Sequence, residues 1–185
     1  MGSREQNTEK SIFREIGGMA LYLTAILVVS YLVLHYVGQR TTVSGMSMYP
    51  ALEDGDNLLV DKLTYRFRDP ERFDIIVFPF RFQEETYYIK RIIGLPGETV
   101  QIADGCVFID GVRLADDLDV EIENPGLAAV PLTLGEDEYF VLGDNRNDSS
   151  DSRDPAVGLV HRTDIIGRAV FRIWPLGGFG TLSRG

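Results

Sequence analysis

The sequence predicts a mainly β protein behind one apolar helix, and three observations predict it. Residues 16–39 contain no charged side chain. Beyond them, short runs rich in Val, Ile, Phe and Tyr recur: NLLVDKLTY, FDIIVFPF, TYYIKRIIG, CVFIDGVRL, EYFVLGDN and IIGRAVFRIWPL. Gly, Pro and Asp-Gly pairs punctuate those runs, as they do between the strands of antiparallel sheets. At 185 residues the chain has room for one well-buried domain and a small appended one.

The uncharged run lies between Glu15 and Arg40. At ~1.5 Å rise per residue it matches a bilayer core of ~30 Å, so 16–39 is expected to be a transmembrane anchor. A cleaved secretory signal would carry an apolar stretch of only about 7 to 15 residues and then a small-residue cleavage site. This run is longer and ends in His35-Tyr36-Val37-Gly38-Gln39-Arg40. A buried helix of a soluble protein would show a polar face, and none is present. Arg4, Lys10 and Arg14 precede the run and Arg40 follows it, a bias that puts residues 1–15 in the cytoplasm. The expectation is a single-pass plasma-membrane protein with residues 40–185 on the extracytoplasmic side.

That outer part is expected to fold as antiparallel sheets. Asp104-Gly105 and Asp110-Gly111 flank CVFI and predict a tight turn at each end of one strand. Residues 101–138 are expected to form a smaller inserted β subdomain, within which the acidic stretch 112–137, with Pro125 and Pro131, looks least like core. Asp and Glu outnumber Lys and Arg 28 to 18, a net charge of −10 that would repel phosphate backbones and argues against a nucleic-acid partner. Cys106 is the single cysteine, so no intrachain disulfide can form, and it reads as a small core residue rather than a reactive thiol.

The chemistry begins at SGMSMYPALEDGD, residues 44–56, where Ser47 stands between two methionines. A serine hydroxyl is a poor nucleophile until a neighbour takes its proton. His35 falls inside the apolar run, which leaves His161 for a Ser-His-Asp triad, although an isolated histidine near a strand end is commonly structural. The other candidate base is Lys90. Strand alternation puts Tyr88, Lys90 and Ile92 on one face and Ile89, Arg91 and Ile93 on the other, and an aromatic and an isoleucine invite the lysine to be buried. An ordinary lysine, with a pKa of ~10.4, is neutral only about four times in ten thousand at pH 7. Desolvation can bring it to ~7 to 8, where it serves as a general base, which arginine cannot do. The alternative is a lysine that snorkels from the sheet to water.

A third segment, GDNRNDSSDSRDPAVG, spans residues 143–158. A calcium loop counted from Asp144 fails, because Arg146 takes a ligand position and Ser149 stands where Gly is required. A solvated turn stays open as the plain reading.

SGMSMYPAL, YYIKRIIGLPGE and GDNRNDSSDSR occur in this order behind the apolar run, and together they make the chain resemble a type I signal peptidase, a membrane-bound Ser/Lys protease. The resemblance extends from about Arg14 to GRAVFRIWPL. It implies Ser47 as nucleophile and Lys90 as general base, working through an acyl-enzyme on preproteins cleaved after small residues. It further implies that Ser149 orients the lysine amine, that Asp151 and Arg153 form a buried pair, and that Gly143, Asp144 and Asn145 hold the strand end carrying them. Met48 and Ile89 are expected to line the substrate pocket, with Tyr88 beside them. Some relatives carry a serine two residues before the nucleophile. Gly45 occupies that position here, so the oxyanion hole is expected to rely on backbone N–H groups, chiefly that of Ser47. No metal or organic cofactor is required.

The substrate would add as a strand between TTVSG (41–45) and TYYI (86–89), and Phe78, Phe80, Phe82 and Trp174 form a candidate surface for membrane lipid. Penicillin-binding proteins place lysine three residues after serine, where this chain has Pro50. Self-cleaving repressors share a Ser/Lys arrangement but carry a DNA-binding domain. The non-enzymatic alternative is an anchored β domain that binds an exported partner.

Overall fold

The computed structural model describes residues 15–31, 38–83, 85–115, 118 and 120–182. Residues 15–31 are α-helical. Among the described residues no helix is long and apolar enough to cross a membrane, and the expected anchor lies partly outside them, at 32–37. Residues 1–38 and 39–185 are separate compact units.

The second unit is built on antiparallel sheets. Strands β1 (Gly38–Thr42), β2 (Asn57–Asp61), β3 (Ile75–Pro79), β4 (Tyr87–Gly94), β9 (Glu138–Leu142), β10 (Val160–His161) and β11 (Gly167–Trp174) make the large sheet, in the order β1-β2-β11-β3-β4-β9-β10. Strand β12 (Gly180–Thr181) pairs with β11. A smaller sheet, β7-β6-β5-β8, is formed by β5 (Thr99–Ala103), β6 (Cys106–Ile109), β7 (Val112–Arg113) and β8 (Leu132–Thr133).

Both Asp-Gly pairs are hairpin turns. Ala103 pairs with Cys106 and Ile109 with Val112, leaving two-residue loops, and all four loop residues have positive φ, between 49° and 78°. That is the two-residue turn whose twist suits a hairpin. The stretch 112–137 is less peripheral than its composition suggests: Ile122, Ala128 and Leu134 are buried with Val100 and Val107 of the small sheet and Phe140 and Leu142 of β9. Its apolar residues are sparse, and these three are covered where the two sheets share a core, while Val112, Val120, Leu127 and Val130 stay exposed.

Strand β4 alternates as expected, and the alternation separates its neighbours. Ile89 packs with Met48, Leu52 and Val77, whereas Ile92 packs with Ile76, Phe78 and Val141 on the opposite side. Phe78 is therefore core at 4 % exposure and does not belong to an outer apolar surface. Its place between Pro79 and the buried Val77 on a central strand leaves it no route to solvent. Phe82 and Trp174 are exposed, and Phe80 stacks on Tyr88 with ring centroids 4.7 Å apart.

Candidate active site

Ser47 lies in the turn that follows β1. Met48 and Leu52 sink into the core below it, at 1 % and 0 % exposure, and the Leu52 N–H donates to the Met48 carbonyl at 2.8 Å. Two buried side chains thus anchor the turn and leave Ser47 at its half-buried rim. Gly45 enters the turn at φ +89°, a conformation that favours glycine, and its N–H donates to Asp54 Oδ1 at 2.8 Å. A serine at this position would be strained, which accounts locally for the glycine.

Lys90 reaches Ser47 from β4. The amine is 3 % exposed and its Nζ donates to Ser47 Oγ at 2.7 Å. The Tyr88 ring lies 5.1 Å from the same nitrogen. Burial lowers the Lys90 pKa to about 8, against the opposing pull of the Asp151 and Asp144 carboxylates, which favour the ammonium. At that value about a tenth of the molecules hold a neutral amine at pH 7, roughly two-hundredfold more than for a lysine in water. An amine of this kind, within hydrogen-bond distance of a hydroxyl, can take its proton.

The third segment frames the pair. Arg91 donates to both oxygens of Asp144, at 2.8 and 2.6 Å, and Arg153 donates to both oxygens of Asp151, each at 2.8 Å. The Gly143 N–H donates to Asp151 Oδ2 at 3.0 Å, and the Asn145 N–H to the Ser47 carbonyl at 3.1 Å. Buried charges survive only when matched in this way. Gly143 is small for a steric reason: a Cβ there would stand 2.2 Å from Ser149 Oγ and 2.4 Å from the Ser47 carbonyl oxygen. Ser149 is therefore beside the Ser47 backbone, yet its hydroxyl is buried with no hydrogen-bond partner, and it makes no bond to Lys90.

Two contributors escaped the sequence reading. The alternation of β4 gives Arg91 only a strand face, and its signal is the mirror of Lys90: a charged residue inside an otherwise apolar strand requires a buried counter-ion. Asp54 belongs to the acidic turn after Ser47, where nothing local distinguishes it from a solvated residue.

A cleft of about 520 Å³ opens beside the pair, walled by residues 41–44 on one side and 85–90 on the other, with Met48, Tyr88 and Ile89 in its lining. Both walls have backbone to offer. Pairing of β4 with β9 begins at Arg91, so β9 leaves one edge of Tyr87–Lys90 unpaired, and β1 pairs with β2 at the end of the large sheet.

His161 is elsewhere: its Nδ1 lies 3.4 Å from Asp137 Oδ2 on the half-exposed rim of β10. The Ser47 hydroxyl meets Lys90 instead. Cys106 is part-buried in β6 of the small sheet. Among the described residues no group of three or more His, Cys, Asp or Glu side chains could hold a metal ion.

Comparison with known proteins gives a consistent result. The family described as signal peptidase, peptidase S26, matches residues 16–174. A probable signal peptidase I-1 of Synechocystis sp. is 39 % identical over 86 % of this chain and 83 % of its own length. A signal peptidase I of Leptolyngbya laminosa is 42 % identical over 80 % of this chain and 74 % of its own. Among solved structures, a signal peptidase I from Enterococcus faecalis V583 is 37 % identical, with a TM-score of 0.46 over 55 % of this chain and 97 % of that one. With its family matched across nearly the whole described length, and with relatives this similar over most of both chains, this protein belongs to the signal peptidase family, peptidase S26.

Proposed function

We propose that Ser47 and Lys90 are the dyad with which this signal peptidase removes signal peptides from exported preproteins. The observation that carries the reading is the 2.7 Å hydrogen bond between a buried amine and the Ser47 hydroxyl. Neutral Lys90 takes the hydroxyl proton as Ser47 attacks the scissile carbonyl, and the C–N bond breaks as the ammonium returns a proton to the leaving amine. Water, deprotonated by the same amine, then attacks the ester, and the signal peptide leaves with a free carboxylate.

Asn145, Asp151, Arg153 and the Arg91–Asp144 pair position this dyad without touching the reacting atoms. Gly45 fixes the turn, and the Ser47 backbone N–H is assigned to the developing oxyanion. Ser149 is the lysine's orienting partner in the cycle, a role supported by its buried, unsatisfied hydroxyl beside the Ser47 carbonyl. The substrate strand lies in the cleft between residues 41–44 and 85–90, with Met48, Tyr88 and Ile89 forming shallow subsites for small side chains.

The uncharged run 16–39 supports single-pass anchoring in the plasma membrane with residues 1–15 cytoplasmic and 40–185 outside. Phe82 and Trp174, both more than half exposed, are the residues offered to lipid.

The test is cleavage of a preprotein by the full chain in vesicles. Ser47→Ala and Lys90→Ala should each abolish it, while His161→Ala should leave it within about twofold of the parent. Loss with His161→Ala and persistence with Lys90→Ala would overturn the dyad.

A further inference from the structure

The cleft wall formed by the end of β1 and the residues after it stands at the edge of the sheet, where β1 pairs with β2 alone, and two further backbone bonds tie it to the turn before β2. The Val43 N–H donates to the Asp56 carbonyl at 2.8 Å, and the Gly55 N–H donates to the Val43 carbonyl at 3.0 Å. Beside them sits Asn57, the first residue of β2, a polar side chain only 7 % exposed. Arg40 Nε and Nη2 donate to its Oδ1 at 2.9 and 2.8 Å, and Thr42 Oγ1 donates to the same oxygen at 3.1 Å. Its Nδ2 donates to the Gly55 carbonyl at 3.1 Å. Arginine can only donate, so the atom facing it must be the amide oxygen, and the side-chain orientation is determined.

Arg40 and Thr42 stand two apart on β1 and so share a face. One amide therefore gathers both side chains of that face and, through its other end, the turn that bonds Val43. The residues between and beyond them, 41–44, line the cleft. Ser47 is held by different groups: Asp54 secures Gly45, and Asn145 secures Met46 and Ser47. The wall thus hangs on Asn57 and its turn, whereas Ser47 is also held from the third segment by Asn145, which Asn57 does not touch.

We infer that Asn57 is a positioning residue for substrate binding, fixing the β1 wall at the spacing from β4 that admits one extended peptide strand. The inference rests on the proposed placement of the substrate in that cleft. It assigns Asn57 an effect on KM and not on kcat, because a wall that must be ordered by the substrate weakens binding equally in the ground and transition states.

The experiment uses the full chain in vesicles with a preprotein substrate, alongside p-nitrophenyl acetate, an ester too small to span the cleft. Asn57→Leu should raise KM for the preprotein about fivefold, the worth of roughly one net hydrogen bond, with kcat and the ester rate within about twofold of the parent. Asn57→Asp, which retains the acceptor for Arg40 and Thr42 but turns an oxygen instead of a donor on the Gly55 carbonyl, should recover only part of the loss, with KM between those of the parent and of Asn57→Leu. An unchanged KM in Asn57→Leu, or a fall in kcat and ester rate together with it, overturns the inference. Should Asn57→Leu not fold, Arg40→Met at the exposed end of the same bonds carries the test: KM should rise about threefold, and an unchanged KM overturns the inference. Ser47→Ala serves as the reference. If it still cleaves the preprotein, the proposed dyad fails; if it is inactive while Asn57→Leu keeps its KM, only the role of Asn57 fails.

Discussion

Asn145 holds Ser47 by the backbone: its N–H donates to the Ser47 carbonyl at 3.1 Å, and its Nδ2 donates to the Met46 carbonyl at 3.2 Å across 99 residues of sequence. The serine's place is thus set from the third segment as well as from its own turn. Lys90 approaches from a different element, β4, so the Ser47–Lys90 contact exists only where three segments meet.

Gly143 is the tightest point of that meeting. Gly143→Ala would put a methyl group 2.4 Å from the Ser47 carbonyl oxygen and 2.2 Å from Ser149 Oγ, and the backbone oxygen has no cheap way to move aside. The expected outcome is a fall in kcat/KM of about a hundredfold, the cost of displacing a reacting group by the order of an ångström. Steady-state kinetics on the folded variant check it. Retention of near-parental activity would mean that the serine tolerates displacement.

The amine's depressed pKa predicts the pH dependence of cleavage. Only the neutral form can take the Ser47 proton, so kcat/KM should rise about tenfold per pH unit on the acid side and level off above about 8, the value to which burial lowers Lys90. A pH–rate profile with its limb near the ordinary lysine value would contradict the desolvation described here.

The same group makes stability depend on pH. Between about 8 and the ordinary lysine value of 10.5, the unfolded chain keeps a proton that folded Lys90 has released, so stability rises with pH across that window. Below about 8 both states hold the proton, and the folded state carries the whole cost of burying it. Lys90→Met should therefore raise Tm at pH 7 by about 2 to 6 °C, with the gain shrinking from pH 8 towards 10.5. Thermal melts across that range decide it, and an increment that does not vary with pH would count against the assignment.

Much of this arrangement was legible in the sequence because it is local. Asp104-Gly105 and Asp110-Gly111 announce hairpins, since each pair supplies two residues that accept positive φ, and the alternation around Lys90 announces a half-apolar environment for an amine. What stayed hidden depends on partners far along the chain. Arg91 finds Asp144 only after β4 and the end of β9 lie side by side, and Asn145 finds Met46 only after the sheet is complete. Ile122, Ala128 and Leu134 looked peripheral because their burial is conferred by the opposing sheet and not by any periodicity of their own.

Strand β4 sends Ile89, Ile92 and Ile93 into three different hydrophobic clusters. A one-residue slip would withdraw all of them at once and bring Arg91, a group that cannot give up its proton, to the serine. Partial melting of the large sheet therefore offers no half-active state. Under increasing denaturant, turnover should disappear in step with the cooperative loss of structure and not ahead of it.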